Sequence, residues 1–376
     1  MSNRKLALAL VAIVIGLALT GGGTGGTVAV AAKPTPTPTP GPTPPPTPIQ
    51  IYGAWHCGNH YCDWALVRDE PGMVEFDQAN HWLIDRGDGR PSVNLVVLSF
   101  VNPLKMLDQS DTGLLGMIPA GMTQDVVNYF KSRGVRVMLS IGGITYTDDW
   151  DAALAANPTQ LGLNAAAVAQ TMGVGIEIDY ERTTDPNLAG LQDFVDAYRS
   201  VLPYDATGSN HAARLTIDLG AGDRWLTAIT RHATANWLNT ATPVLDYANA
   251  MVAGTSSGTP ADWQEHITGK ANYAPPVPPL APAKLTAGLY LKGNIANCSS
   301  FASSEQKADA TYVQTVAPNG AGTTAGMLGF MFWAAEYPSA RRGYTATVPP
   351  NTCEGGMGVA ATTFGIGIPM PALRQQ

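Results

Sequence analysis

Charge is scarce in this chain. Only 14% of its 376 residues are Asp, Glu, Lys or Arg, acids outnumber bases 29 to 22, and the formal net charge is -7. A nucleic-acid binder displaces counterions from phosphates with an excess of cationic side chains, so the composition speaks against nucleic acid as a partner. Histidine is also scarce, with six copies, and neither HExxH nor CxxC…CxxC occurs, so no metal is expected. There is no Walker loop and no GxGxxG opening a helix, which removes the usual phosphate cradles and leaves no cofactor expected. Cysteine is limited to Cys57, Cys62, Cys298 and Cys353. Four cysteines suit an exported chain with two disulfides, and the preferred pairing is Cys57–Cys62 with Cys298–Cys353. His56, Cys57, His60 and Cys62 also form a compact donor cluster, a less favoured metal reading.

What is present is 45% hydrophobic residues, enough for a sizeable core. Arg4 and Lys5 precede the apolar run Leu6 to Leu19, and Ala29-Val30-Ala31 suits a signal peptidase. Residues 1–32 therefore read as a signal peptide, or as an N-terminal membrane anchor if uncleaved, which predicts a secreted protein without stable membrane insertion once the segment is removed. Residues 33–48 (KPTPTPTPGPTPPPTP) are a Pro/Thr-rich linker, extended and semi-rigid. The folded body is expected over residues 49–346, followed by a Gly-rich tail at 347–376 that Cys353 would pin down.

Within the body, eight apolar runs read as strands: Gln50–Trp55, Val93–Val101, Val135–Ile141, Val174–Tyr180, Arg214–Leu219, Tyr247–Ala253, Lys284–Leu291 and Met327–Trp333. Helical spacing appears between several of them, as at Val126, Val127 and Phe130 in Thr123–Arg133, stopped by Gly134, and again over Leu191–Leu202. Buried strands alternating with helices imply a parallel sheet, and eight repeats predict an α/β fold, a (β/α)8 TIM barrel forming a single catalytic domain. A doubly wound sheet is the alternative. The Pro-, Gly- and Ser-rich stretch Thr255–Pro282 reads as a long loop after the sixth strand. A monomer is expected.

The fourth run carries the chemistry. In Val174-Gly175-Ile176-Glu177-Ile178-Asp179-Tyr180-Glu181, Glu177, Asp179 and Glu181 share one face of a strand while Ile176, Ile178 and Tyr180 share the other. Adjacent carboxylates repel one another and resist desolvation, so such a row belongs where protons are moved. Its last acid falls at the strand's C-terminal end, where barrel enzymes place their active sites.

With these residues in view, the chain resembles the family 18 glycoside hydrolases, which include chitinases and endo-β-N-acetylglucosaminidases. The strand-four pattern D-x-x-D-x-D-x-E reads here Val174, Glu177, Asp179, Glu181; the strand-three S-x-G-G is Ser140-Ile141-Gly142-Gly143; and a tryptophan ends strand eight, in Gly329-Phe330-Met331-Phe332-Trp333. The resemblance covers about Ile51 to Trp333. It implies an exported hydrolase of β-1,4-linked N-acetylglucosamine polymers, with such a polysaccharide or oligosaccharide as its partner. Glu181 would protonate the leaving oxygen, and the substrate's own acetamido group would attack the anomeric carbon with retention. Asp179 would orient that group, Glu177 would share a proton beneath it, and Trp333 would floor the sugar ring. Tyr146 and Trp55, near strand ends, are further candidates to line a sugar groove, as is Trp150; core packing is the alternative for each.

The chain departs from the pattern on strands four and six. Val174 stands at the first acid, a position expected deep in the barrel, Glu177 replaces the usual Asp, and Ala253-Gly254 stand where the family has a strand-six tyrosine followed by Asp or Asn. Tyr247 lies on the same face but low, and Asp246 and Asn249 are polar neighbours. These departures keep open a sugar-binding lectin on the same barrel, and the strand-four motif equally admits an endo-β-N-acetylglucosaminidase acting on N-glycans. A two-carboxylate glycosidase would place its second acid at the end of strand seven. Leu285–Leu291 contains none, leaving Asp218 and Glu336 as distant candidates.

Overall fold

The computed structural model describes residues 50–59, 62, 67–79, 83, 91, 93–254, 259–290, 304–319 and 325–333. The expected export segment, the Pro/Thr linker, Cys298, Cys353, Glu336 and the Gly-rich tail lie outside the described residues.

Eight parallel strands close into a barrel in sequence order, β1-β2-β3-β4-β5-β6-β7-β8. They are β1 Ile51–Cys57, β2 Leu95–Val101, β3 Arg136–Gly142, β4 Gly175–Asp179, β5 Leu215–Leu219, β6 Ala248–Gly254, β7 Leu285–Tyr290 and β8 Gly329–Trp333. Pairing of β1 with β8, Ile51 opposite Gly329 and Gly53 opposite Met331, closes the sheet, so this is the (β/α)8 barrel and not a doubly wound sheet. Each strand falls within two residues of its sequence-derived position at either end, because apolar runs bounded by polar or glycine residues are what a barrel strand buried on both faces requires.

The strands' two faces divide the core. Val96, Leu98, Leu139, Ile141, Ile176, Ile178, Leu215 and Ile217 join helix residues such as Phe130, Val168, Leu191 and Phe194 in the layer between sheet and helices. The opposite face lines the interior with Ile51, Trp55, Leu95, Val97, Met138, Tyr247 and Met331. Helices start and stop on local chemistry. Thr123 Oγ1 accepts from Val126 N at the head of Gln124–Ser132, and Asn157 Oδ1 accepts from Gln160 N at the head of Pro158–Met172. Asn187 caps Leu188–Val201 in the same way.

Thr255–Pro282 is not one long loop. Thr259–Thr268 forms a helix that buries Trp263, His266 and Ile267, and Lys270 and Val277 then pair across a tight bridge. The stretch is rich in turn formers, but Trp263 and Ile267 recur at an i, i+4 spacing that packs one helical face.

At the N-terminal end of the barrel a buried ion pair ties the wall together. Arg199, on helix Leu188–Val201, lies 3.3 Å from Asp246 Oδ2 and donates to Val244 O, while Asp246 Oδ2 accepts from Leu215 N at 2.8 Å. Asp246, a polar neighbour expected from sequence, thus belongs to the base of the barrel. Near the mouth, Cys57 and Cys62 form a disulfide across the turn after β1. That bond consumes two of the four donors in the metal reading of this segment, and His60 lies outside the described residues.

Candidate active site

The site is built on β4. Register places Ser140 of β3 opposite Glu177, and Gly142 opposite Asp179. Gly142 has φ +122°, and a Cβ there would lie 1.9 Å from the Asp179 carbonyl oxygen and 2.3 Å from Trp150 Nε1. Only glycine lets the backbone take that conformation and approach that closely. The following Gly143 donates its N–H to Asp179 O at 3.0 Å, and Trp150 Nε1 donates to Asp179 O at 3.1 Å and to Ile141 O at 3.2 Å. The Ser-Ile-Gly-Gly junction therefore clamps the end of β4 and fixes where its acids point. Trp150 is wholly buried in that role, a core residue and not a groove wall.

Glu177 and Asp179 are both buried, while Glu181, two residues past the clamp, is half-buried at the mouth. Glu177 Oε1 accepts from Trp55 Nε1 of β1 at 2.8 Å, and Oε2 accepts from Asn249 Nδ2 of β6 at 2.6 Å. Thr286 Oγ1 of β7 donates to Asn249 Oδ1 at 2.5 Å, while the Asn249 amide nitrogen donates to Glu177. Asp218 of β5 sits beside Asn249 in register, 2% exposed. Among the described residues the β4 acids thus rise from Glu177 through Asp179 to Glu181 at the mouth, and Asp218 stands two residues beyond the partner of Glu177 on β5.

Burial sets their protonation. Glu177 is raised by desolvation, opposed by the donors around it. Asp179 is raised well above the ordinary aspartate value by burial and then by the charges of Glu181 and Glu177. Asp218 is raised well above it by burial, then by Glu177 and Asp179. Glu181 is pushed up to about 7 by burial, offset by the backbone N–H of Ile144. A carboxyl that keeps its proton near neutrality at an open mouth is placed to act as a general acid.

The structure brings Glu177, Asp179 and Glu181 together as expected, and adds Asp218 and the donors Asn249 and Thr286. Asn249 and Asp218 were recognisable as inward positions only by strand parity; nothing in the sequence marked Thr286. Trp55 is 3% exposed and its indole N–H is spent on Glu177, so it holds the acid from below instead of lining an open groove. Tyr146 is 5% exposed, on the turn Ile144–Tyr146 beside Glu181. Trp333, half-buried at the end of β8, meets Phe100 with ring centroids 5.2 Å apart and remains the aromatic face at the mouth.

Val174 is not deep in the barrel interior. It precedes β4 with the parity of Ile176 and Ile178 and packs in the layer between sheet and helices, so its apolar side chain subtracts no acid from the row. Tyr247 lies low, as expected, its hydroxyl 3.9 Å from Met138 Sδ in the interior cluster. Ala253 of β6 pairs with Leu289 of β7 beyond a register shift.

No protein-family profile matches the chain, and no curated protein matches it. Solved structures do. A chitinase from Rhizomucor miehei is 14% identical, covering 83% of this chain and 99% of that one, with a TM-score of 0.48. A GH18 chitinase from Pseudoalteromonas aurantia is 13% identical over 75% of this chain and 93% of that one, TM-score 0.46. An endo-β-N-acetylglucosaminidase from Cordyceps militaris is 13% identical over 83% and 91%, TM-score 0.43. At such identities and scores the likeness assigns no activity, and the chemistry rests on this chain's own residues.

Proposed function

We propose that this barrel is a glycosidase of the family 18 type, acting on β-1,4-linked N-acetylglucosamine polymers by substrate-assisted, retaining catalysis. The observation that carries the reading is the graded acid row: Glu181 at the mouth with its carboxyl lifted to about 7, above the buried Asp179 and Glu177. Glu181 protonates the glycosidic oxygen as the bond breaks. A retaining enzyme then needs a nucleophile on the other face of the anomeric carbon. Asp179 is buried beneath the mouth with its carboxyl raised well above the ordinary aspartate value by that burial and the neighbouring acids, which suits a hydrogen bond to an acetamido group better than attack on carbon. The acetamido carbonyl is then the nucleophile, closing an oxazolinium-type ring that water later opens with Glu181 as base. Trp333 supplies the apolar face beneath that sugar. Arg4-Lys5 and the apolar run after them support export of the barrel.

The test uses fluorogenic glycosides of chitobiose and chitotriose with the chain from Ile49 to Gln376 and its Glu181→Gln variant. Turnover that falls by about 10²–10⁴ in the variant supports the reading. Absence of turnover with retained binding of chitin oligomers would make this a sugar-binding barrel. Absence of both would point to other acetamido sugars, N-glycans first.

A further inference from the structure

Among the described residues the two most exposed large apolar side chains are Ile144, at 69%, and Trp225, at 53%. They sit on the turns that follow β3 and β5, the two strands that flank β4. Turns after strand ends lie at the mouth, so the pair brackets the strand that leads to Glu181. Exposed apolar side chains scattered singly need no explanation, but two left bare on either side of one acid do. Trp225 is the aromatic member, and its turn presents it firmly. Residues 220–226 join β5 to helix Thr227–Ala233. A Cβ on Gly220 would lie 2.2 Å from Trp225 Cβ, so the glycine lets the turn fold back onto the strand end. Trp225 N donates to Gly222 O at 3.1 Å. His266, on helix Thr259–Thr268, has its Nε2 2.8 Å from Gly220 O, and burial pushes its pKa down to about 4, so the neutral ring donates Nε2–H there. Arg224 forks onto Asp262 and Glu265 of the same helix, and its guanidinium carbon lies over the Trp225 ring, 5.7 Å from the centroid. The ring is therefore ordered before any ligand arrives, which lowers the entropic cost of binding to it.

We propose that Trp225 is a specificity-determining residue, a stacking platform for a pyranose ring on the leaving-group side of the bond that is cut. The inference rests on the proposed function, and topology decides the side. Trp333, which floors the sugar carrying the acetamido group, ends β8, and in a closed barrel of eight strands β8 stands across the mouth from β4. Glu181 protonates the oxygen between that sugar and the next, so a chain that continues past Glu181, away from β8, reaches the rim formed by the turn after β5. A pyranose offers an apolar face of C–H groups ringed by hydroxyls. Trp225 offers a flat apolar face and an indole N–H that no hydrogen bond engages among the described residues. Its brace is chemically separate from the acids of β4, because every partner of Arg224 and Gly220 named above belongs to helix Thr259–Thr268.

The full chain and its Trp225→Ala and Trp225→Phe variants are compared on two substrates. One is the fluorogenic glycoside of chitobiose, whose sugars all lie on the Trp333 side of the broken bond and whose leaving group is the fluorophore. The other is chitohexaose, which places sugars on both sides. The ratio of kcat/KM for chitohexaose to that for the glycoside should fall about tenfold in Trp225→Ala, through KM, and most of the loss should return in Trp225→Phe. A ratio unmoved in Trp225→Ala, whether both substrates lose equally or neither loses, overturns the assignment and leaves the hydrolase reading intact. A parent that hydrolyses neither substrate removes the hydrolase reading, and the platform is then read from chitohexaose binding by titration calorimetry. A Kd about tenfold weaker in Trp225→Ala supports it, while an equal Kd, or no binding by the parent, overturns it.

Discussion

At Glu181 the sign of the pH dependence follows from its role. A general acid works only while protonated, and burial lifts this one to about 7. Turnover should therefore be level on the acid side of 7 and fall about tenfold per unit above it, read from kcat/KM against pH. A profile flat to well above 7 would remove Glu181 from that role. Asp179 makes a prediction about stability. Its folded-state pKa lies well above its ordinary 3.8, so the folded protein binds more protons than the unfolded chain between those values. Stability accordingly falls as pH rises from about 4 through the folded pKa. Asp179→Asn removes that cost and should raise the melting temperature at pH 7, by about 2–4 °C per kcal/mol recovered, with the gain vanishing near pH 4. The same substitution should depress turnover, since the site is kept against the preference of the fold.

Strands were the most legible elements, and β4 the most legible of all. Alternation alone put Glu177 and Asp179 inside and Ile176 and Ile178 against the helices, because a strand's side-chain period of two is fixed by backbone geometry. What parity cannot supply is register between strands. That Trp55, Asn249 and Thr286 converge on one carboxylate depends on how β1, β6 and β7 stagger around the barrel, which no single segment encodes. The helix at Thr259–Thr268 was hidden for a different reason: Pro260 and the Pro- and Gly-rich flanks outweighed one short apolar stripe. Pro in a first turn opens helices as readily as it breaks them. The junction after β3 carries its own prediction. Gly142→Ala would force a methyl onto the Asp179 carbonyl at a positive φ. It should cost about 3 kcal/mol or more, read as a lowered urea midpoint, and should displace Asp179 even where the variant folds. A variant with unchanged stability and turnover would show that the junction does not clamp the site.

Across the whole barrel the two ends divide the work. The mouth holds acids against their desolvation, while the base holds a satisfied ion pair, Arg199 with Asp246, joined to the Leu215 and Val244 backbone. Asp246→Ala leaves Arg199 uncompensated and should cost about 3–5 kcal/mol of stability, yet kcat of the folded fraction should stay within about twofold of the parent, because the pair is anchored to the Leu215 and Val244 backbone at the end of the barrel away from the mouth. Equal losses of stability and kcat would mean the ends are coupled. The central claim is that the glycosidic bond breaks with retention, by two displacements at the anomeric carbon with Glu181 as acid and then as base. It is tested most directly by following the anomer of the first product released from chitotetraose by proton NMR, before mutarotation. Substrate-assisted displacement predicts the β anomer, with retention. Initial release of the α anomer would mean a single displacement by water, with a second protein carboxylate as base, and would contradict the account.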